Sequence, residues 1–376
     1  MDWLTAHEAL AVLGTQPQTL YANVSRGRIK AKRDPDDSRK SLYRGDDVRR
    51  LAQRAAGRRK QDAVAAQAMQ WGEPVLRTSI STVAHGRLLY RGRDACELAD
   101  TASLEDIAAL LWQAQGELPS VAPFAGSRGL TAAFVMLARG AAETIPVVRP
   151  PAGLAQEAGL ILATLAQALT GEAQAEDMLH LRLARLWRRP AAADVIRRAL
   201  VLLADHELNA STFAARVAVS TGASLWAGAL AGLATLNGPR HGLASRGVAA
   251  LADDIGYAPG SAEAALRDWL GEGRYVLGMG HQLYPDGDVR AEALLARFEL
   301  PVAFARLREA GEAITGERPN VDFALAAMAA AFELPEDAPL TLFAMARCVG
   351  WLAHGLEQVQ SGQEIRPRAQ YVGVAG

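Results

Sequence analysis

Three short segments set an unusual polar residue into otherwise apolar, helical-looking sequence. They are Asn237-Gly-Pro-Arg-His-Gly242, Gly278-Met-Gly-His-Gln-Leu-Tyr284 and Pro319-Asn-Val-Asp-Phe323. Each offers one group able to hold or move a proton: His241, His281 and Asp322. A carboxylate can take a proton from carbon, and an imidazole can stabilise charge that then develops on a carbonyl oxygen. Two histidines and one carboxylate, each beside Gly or Pro, are the set that carbon-acid chemistry next to a carbonyl needs.

Each segment also has a plainer reading. Glycines on either side of His241 allow a ligand close to the backbone, but a buried turn needs them equally. The Gly278-Met-Gly280 pair is not a dinucleotide fingerprint, because no third glycine follows at the required spacing. Asp322 can cap a helix, or its apolar followers Phe323, Ala324 and Leu325 can tune it as a base. His206 lies in the polar run Asp205-His-Glu-Leu-Asn209. A zinc-protease pattern fails there, since Ala210 stands where a second histidine would be required. His206 is left as a cap, an ion-pair partner or a donor to a substrate carboxylate or carbonyl. His7, His85, His180 and His354 stand alone and read as structural or solvated. Among the arginines, Arg290 and Arg366 read singly as surface charges. Arg347 differs, because it interrupts the apolar run from Leu342 to Trp351. A buried arginine needs an anion, and a substrate carboxylate would serve.

The surrounding sequence must position these groups. Half of the 376 residues are hydrophobic and only 6% are aromatic, with alanine abundant. That favours close-packed helices, and the length suggests two or three domains. Helical periodicity dominates from Ser103 onward, broken at 116–119, 145–153, 238–239 and 256–261. A short hairpin is expected over Thr78–Tyr90, turning at Gly86. No apolar run approaches the length of a membrane span, and the N-terminus lacks a signal pattern. Cys96 and Cys348 read as buried free thiols in a reducing compartment, so a cytoplasmic location is expected. No metal site and no cofactor are expected.

Net charge is −1 overall but uneven. Residues 1–60 carry 14 Lys+Arg against 7 Asp+Glu, a net of +7. The rest has 26 against 34, or −8. Within 1–55, Thr5 and Glu8 form a capping box for a helix through Leu13, and Pro17 suits the first turn of a second helix. A basic extended stretch runs from Ile29 to Tyr43, turning at Asp34-Pro-Asp-Asp37, before a third helix capped by Asp46 or Asp47. Residues 56–74 read as a linker or exposed helix.

Two resemblances organise these observations. The run LTAHEALAVLGTQPQTLYANVSRGRI resembles the small winged helix-turn-helix modules of excisionase and mercury-resistance regulators. It implies that Gln18, Thr19, Tyr21, Arg26 and Arg28 face DNA, with a wing near Lys32 and Lys40. From about Ser79 to Gly373 the chain resembles citrate synthases, through GRLLYRGRDACELA, ADHELNAST, NGPRHGLAS, GMGHQLYPDGDVR, RPNVDF, FAMARCVGWLAH and RPRAQY in order. That resemblance implies an all-α two-domain fold, with a large domain over 75–242 and 336–376 and a small one over 243–335. It also implies a homodimer that condenses acetyl-CoA with oxaloacetate. His241 would bind the thioester oxygen, Asp322 would deprotonate the methyl group and His281 would polarise the ketone. His206, Arg290 and Arg347 would hold carboxylates, and Arg366 would reach the partner's site. Ser245, Gln282 and Val289 depart from the commoner Asn, Arg and Pro, which bears on acyl-thioester affinity and substrate choice. A 2-methylcitrate synthase using propionyl-CoA is the near alternative. A DNA-binding regulator that senses a metabolite is the alternative from another class.

Overall fold

A computed structural model describes residues 2–14, 20, 23–24, 28–35, 37, 40–55, 76–114, 119, 121, 126–144, 150–172, 178–257, 261–271 and 276–367. The chain forms two compact units, Met1–Leu76 with Pro367–Gly376, and Arg77–Arg366.

In the first unit β1 (Trp3–Leu4), β2 (Ala31–Arg33) and β3 (Ser41–Arg44) form an antiparallel sheet of order β1-β3-β2, with helices α1 (Ala6–Leu13) and α2 (Gly45–Ala55). Thr5 and Glu8 make the expected capping box, and Gly14 closes α1 in the left-handed conformation. Asp46 and Asp47 lie inside the first turn of α2 rather than capping it. There they face the positive end of the helix and pair with Arg49 and Arg50. Ala9, Leu20, Ile29, Tyr43 and Val48 form a small core. Of the residues expected to face DNA, only Arg28 is described; Gln18, Thr19, Tyr21 and Arg26 lie outside the described residues, as does the 56–74 linker.

The second unit opens with β4 (Ser81–Ala84) and β5 (Arg87–Tyr90), the hairpin expected around Gly86, extended by β6 (Arg93–Asp94). These sheets qualify the all-α expectation, though helices dominate. They are α3 (Ala95–Thr101), α4 (Leu104–Trp112), α5 (Leu130–Glu143), α6 (Pro151–Thr170), α7 (Leu179–Leu186), α8 (Ala193–Leu203), α9 (Ala210–Ser220), α10 (Leu225–Leu236), α11 (Ala244–Tyr257), α12 (Ala262–Gly271), α13 (Val289–Leu295), α14 (Val302–Thr315), α15 (Val321–Ala331) and α16 (Ala338–Ser361).

Helix α16 is the axis of the larger core, buried along most of its length and packed by α4, α6, α8, α9 and α10. Its alanines and glycines let neighbouring helices approach closely, which explains an alanine-rich chain that is poor in aromatics. A separate core joins α11, α12, α14 and one face of α15, through Val248, Leu266, Leu307 and Phe323. Helix α6 is long and apolar enough by length and composition to cross a membrane, yet it is buried along most of its length as a core helix. Cys348 is buried as expected, whereas Cys96 is half-buried, its thiol 3.6 Å from Val289 O.

Candidate active site

The C-terminal end of α8 delivers Asp205 and His206 to the interior. Arg347 Nε donates to Leu203 O at 2.9 Å, and Gly350 N to Ala204 O at 3.0 Å. Asp205 is fully buried; Ser81 Oγ donates to its Oδ2, which lies 3.0 Å from His354 Nε2. His354 therefore does not stand alone. Its Nδ1 lies 3.4 Å from the permanently protonated Arg216, so it accepts there and gives its own proton to Asp205. His206, next along the chain, is 6% exposed.

Helix α9 begins one turn later. Asn209 caps it through the backbone N–H groups of Ser211 and Thr212. The Ser211 hydroxyl meets three groups: Asn209 Oδ1 at 2.7 Å, Trp351 Nε1 at 3.0 Å and His241 Nε2 at 2.9 Å. This places His241, in the turn between α10 and α11, with its ring edge against Phe343 of α16. Gly242 is required for packing rather than for a ligand, because a Cβ there would sit 2.7 Å from Leu236 O. Burial, with Arg347 nearby, lowers the His241 pKa to about 4.

The loop before α13 supplies a second group. Gly278 (φ 84°) and Gly280 (φ 71°) adopt left-handed conformations that disfavour any side chain. His281 follows, its Nδ1 accepting from Leu283 N at 3.1 Å. An acceptor Nδ1 on a neutral ring leaves Nε2 as the donor. The ring stays neutral because burial and then Arg290 push its pKa down to about 4. The His206 and His281 ring centroids are 5.1 Å apart. Burial, then Arg290 and His281, hold the His206 pKa well below its usual value.

The third segment is tied to the second through the backbone. Gly280 N donates to Arg318 O at 2.8 Å, Asn320 N to Gly278 O at 2.8 Å, and Asn320 Nδ2 to Gly280 O at 3.0 Å. Asn320, not Asp322, caps α15, accepting from the N–H groups of Asp322 and Phe323. Asp322 is thus released from the capping role. Its Oδ1 is buried with no hydrogen-bond partner among the described residues, and burial raises its pKa to about 7. A carboxyl so placed is half ionised near neutral pH and has a free lone pair, as a general base requires.

The arginines behave differently from one another. Arg290 is 2% exposed and grips Asp288 with two bonds, Nε to Oδ1 at 2.9 Å and Nη2 to Oδ2 at 2.7 Å. Burial works against its charge, but Asp288 outweighs it and raises the arginine pKa. Asp288 also caps α13 and accepts from Val321 N, so one carboxylate joins Arg290 to the start of the Asp322 helix. Arg347 is 1% exposed, lies over Phe343, and forms no ion pair with a described carboxylate. Burial lowers its pKa to about 10, with Asp205 the opposing charge. A buried cation without an ion-pair partner is costly. Arg366 is not drawn into this group: it is exposed beyond the end of α16, with no bond to the other six.

His206, His241, His281, Asp322, Arg290 and Arg347 therefore share one electrostatic neighbourhood. Sequence reasoning missed Asp288, Tyr284, Ser211 and Asn320. The Asp-Val-Arg spacing was a usable signal for Asp288, since a buried arginine calls for a carboxylate. Nothing local marked Ser211. Among the described residues no cluster has the makeup of a metal site.

Residues 130–368 match the family model for the C-terminal domain of citrate synthase. The chain belongs to the citrate synthase family. It is 36% identical over 200 residues to citrate synthase 2 of Bacillus subtilis, covering 49% of this chain and 52% of that protein. It is 34% identical over 196 residues to 2-methylcitrate synthase 2 of Corynebacterium glutamicum, covering 49% and 50%. The matched segment thus spans about half the length of these curated relatives. The fold is similar to that of citrate synthase from Thermoplasma acidophilum, solved as a ternary complex with carboxymethyl coenzyme A and oxaloacetate. The TM-score is 0.67 and the identity 25%, over 81% of this chain and 95% of that one.

Proposed function

We propose that the protein condenses acetyl-CoA with oxaloacetate and hydrolyses the resulting citryl thioester to citrate and CoA. The observation that carries this reading is Asp322: a carboxyl with pKa about 7 and a buried, unpartnered oxygen. It stands among neutral histidines and buried arginines. Asp322 takes a proton from the methyl carbon while His241 donates to the thioester oxygen, so charge develops where a donor already waits. Ser211 Oγ lies 2.9 Å from His241 Nε2 and holds the ring in place. His281 Nε2–H polarises the ketone, and the enolate carbon attacks it. The alkoxide that forms is stabilised by the same donor. Arg347 takes one keto-acid carboxylate. Arg290, already held by Asp288, contributes through its remaining nitrogen and its field, and His206 through a ring N–H.

Arg366, exposed and without an ion pair to a described carboxylate, is assigned to the partner's site in a homodimer. Residues 243–335, which hold the second core of α11, α12, α14 and one face of α15, form the small domain that closes over substrates and excludes water before condensation. No cofactor beyond the thioester substrate enters this scheme. Propionyl-CoA is the alternative acyl donor, in keeping with the 2-methylcitrate synthases among the relatives. Steady-state thiol release with oxaloacetate and each thioester tests the reading. Turnover of either supports it and their kcat/KM ratio names the donor; release with neither overturns it.

A second reading concerns the first unit. Arg28, Lys30, Lys32 and Arg33 lie on or beside the edge strand β2, all exposed, and none forms an ion pair with a described carboxylate. By contrast, Arg44, Arg49 and Arg50 are paired. We assign this strip to the phosphates of duplex DNA. Salt-dependent gel shift with genomic fragments tests it, and absence of binding at low salt removes it.

A further inference from the structure

Tyr284 touches three groups that the condensation scheme sets against the keto acid. Its Oη lies 3.0 Å from His206 Nε2. Its ring lies 5.2 Å from the Arg290 guanidinium carbon and 5.2 Å from the centre of the His281 ring. Its backbone N–H donates to His281 O at 2.9 Å, and the residue is only 2% exposed. Packing alone does not call for the hydroxyl, because phenylalanine would fill the same space without burying a polar group. The described partner of that hydroxyl is the His206 ring.

His206 is neutral, so it carries one N–H, and the nitrogen that bears it decides what the ring offers. His206 Nδ1 has no hydrogen-bond partner among the described residues. If Nε2 kept the proton and gave it to Tyr284, Nδ1 would turn a lone pair toward an anionic substrate. If Tyr284 gives its proton to Nε2, Nδ1 becomes the donor instead. Burial holds Tyr284 as a neutral phenol, so that proton is present throughout the neutral range.

We propose that Tyr284 is a positioning residue for the keto-acid half of the reaction: its hydroxyl donates to His206 Nε2 and fixes Nδ1–H as the group His206 offers to a substrate carboxylate or carbonyl. The substrate part of this inference rests on the condensing-enzyme reading. The hydrogen bond and tautomer do not, and the test uses both.

The first measurement is the ring nitrogen spectrum of ¹⁵N-histidine-labelled full-length protein, with His206 assigned from a His206→Gln variant. The expected result is a protonated Nδ1 and an unprotonated Nε2. A protonated Nε2 overturns the proposal whether or not the protein turns over. The second is steady-state kinetics of Tyr284→Phe, which keeps the ring beneath Arg290. The expected result is a keto-acid KM raised about 5- to 10-fold, the loss of one hydrogen bond, with kcat within about twofold and an unchanged melting temperature. An unchanged KM in a folded Tyr284→Phe protein contradicts the proposal. Wild-type protein inactive with both thioesters overturns the condensation reading instead, and leaves the nitrogen spectrum to decide the role of Tyr284.

Discussion

The basic strip of the first unit and the Arg290–Arg347 pair of the second handle positive charge in opposite ways. Arg28, Lys30, Lys32 and Arg33 remain exposed, where an unpaired cation costs almost nothing and so implies little by itself. Arg290 and Arg347 are buried at 2% and 1% exposure. There each charge must be compensated, and the two do it differently. Arg290 has its carboxylate two residues earlier, as Asp288 at the cap of α13. Arg347 forms no ion pair with a described carboxylate, and the buried Asp205 opposes its charge only in part. A buried charge that the fold leaves without an ion-pair partner is a stronger pointer to a ligand than any number of surface lysines.

Substitutions put this contrast at risk. The largest expected effect is at Asp322. Asp322→Asn should lower kcat by about 10²–10⁴-fold, the usual worth of a general base. Its stability should move the other way. A carboxyl whose folded pKa is raised contributes stability that is complete below its ordinary value of 3.8 and is lost as pH rises through about 7. The variant should therefore melt at least as high as wild type at pH 8, by calorimetry; a matching loss of stability would make Asp322 structural.

The arginines come next. Arg347→Leu should raise the keto-acid KM by at least about tenfold, the loss of one charge-assisted bond, with little change in stability. Arg290→Leu should lose stability as well, by about 3–5 kcal/mol, because Asp288 is left buried and unpaired. Denaturant unfolding separates them, and equal stability losses would sink the distinction between the two arginines. A third effect is in pH. The kcat/KM for the thioester should fall about tenfold per unit below pH 7 as Asp322 takes a proton. His241 and His281, with pKa near 4, should add nothing until well below pH 5. A profile controlled by a group near 6.5 would point instead to a charged histidine.

The smallest catalytic effect is expected from the triple variant Lys30→Gln, Lys32→Gln, Arg33→Gln. Thiol release should stay unchanged, while the salt dependence of DNA binding should flatten by about 0.9 for each phosphate no longer neutralised. An unchanged slope would free β2 from that role.

Much of this site was legible because its chemistry-bearing residues interrupt apolar sequence. His241, His281, Asp322 and Arg347 all stand out that way. Their supports do not. Asn320 takes the capping role that is open to Asp322 in the sequence, and the Met279–Pro319 bridge shows how the two loops are held together. His354 looks isolated along the chain because its partners Asp205 and Arg216 are 149 and 138 residues away in sequence. The glycines at 278 and 280 carry no ligand signal of their own in the sequence, and their positive φ values give the reason for them. Helix starts follow local capping chemistry closely, as at Thr5 and Ser103. Helix α6 shows the limit of composition, which cannot tell a core helix from a spanning one.

The most direct test of the central claim isolates the proton transfer. With a non-reacting dicarboxylate bound in place of oxaloacetate, the acetyl methyl hydrogens of acetyl-CoA should exchange with deuterium oxide on wild-type protein, followed by proton NMR. Exchange that falls to background in Asp322→Asn is the predicted result. Exchange at the wild-type rate in that variant would contradict the assignment of Asp322 as the base.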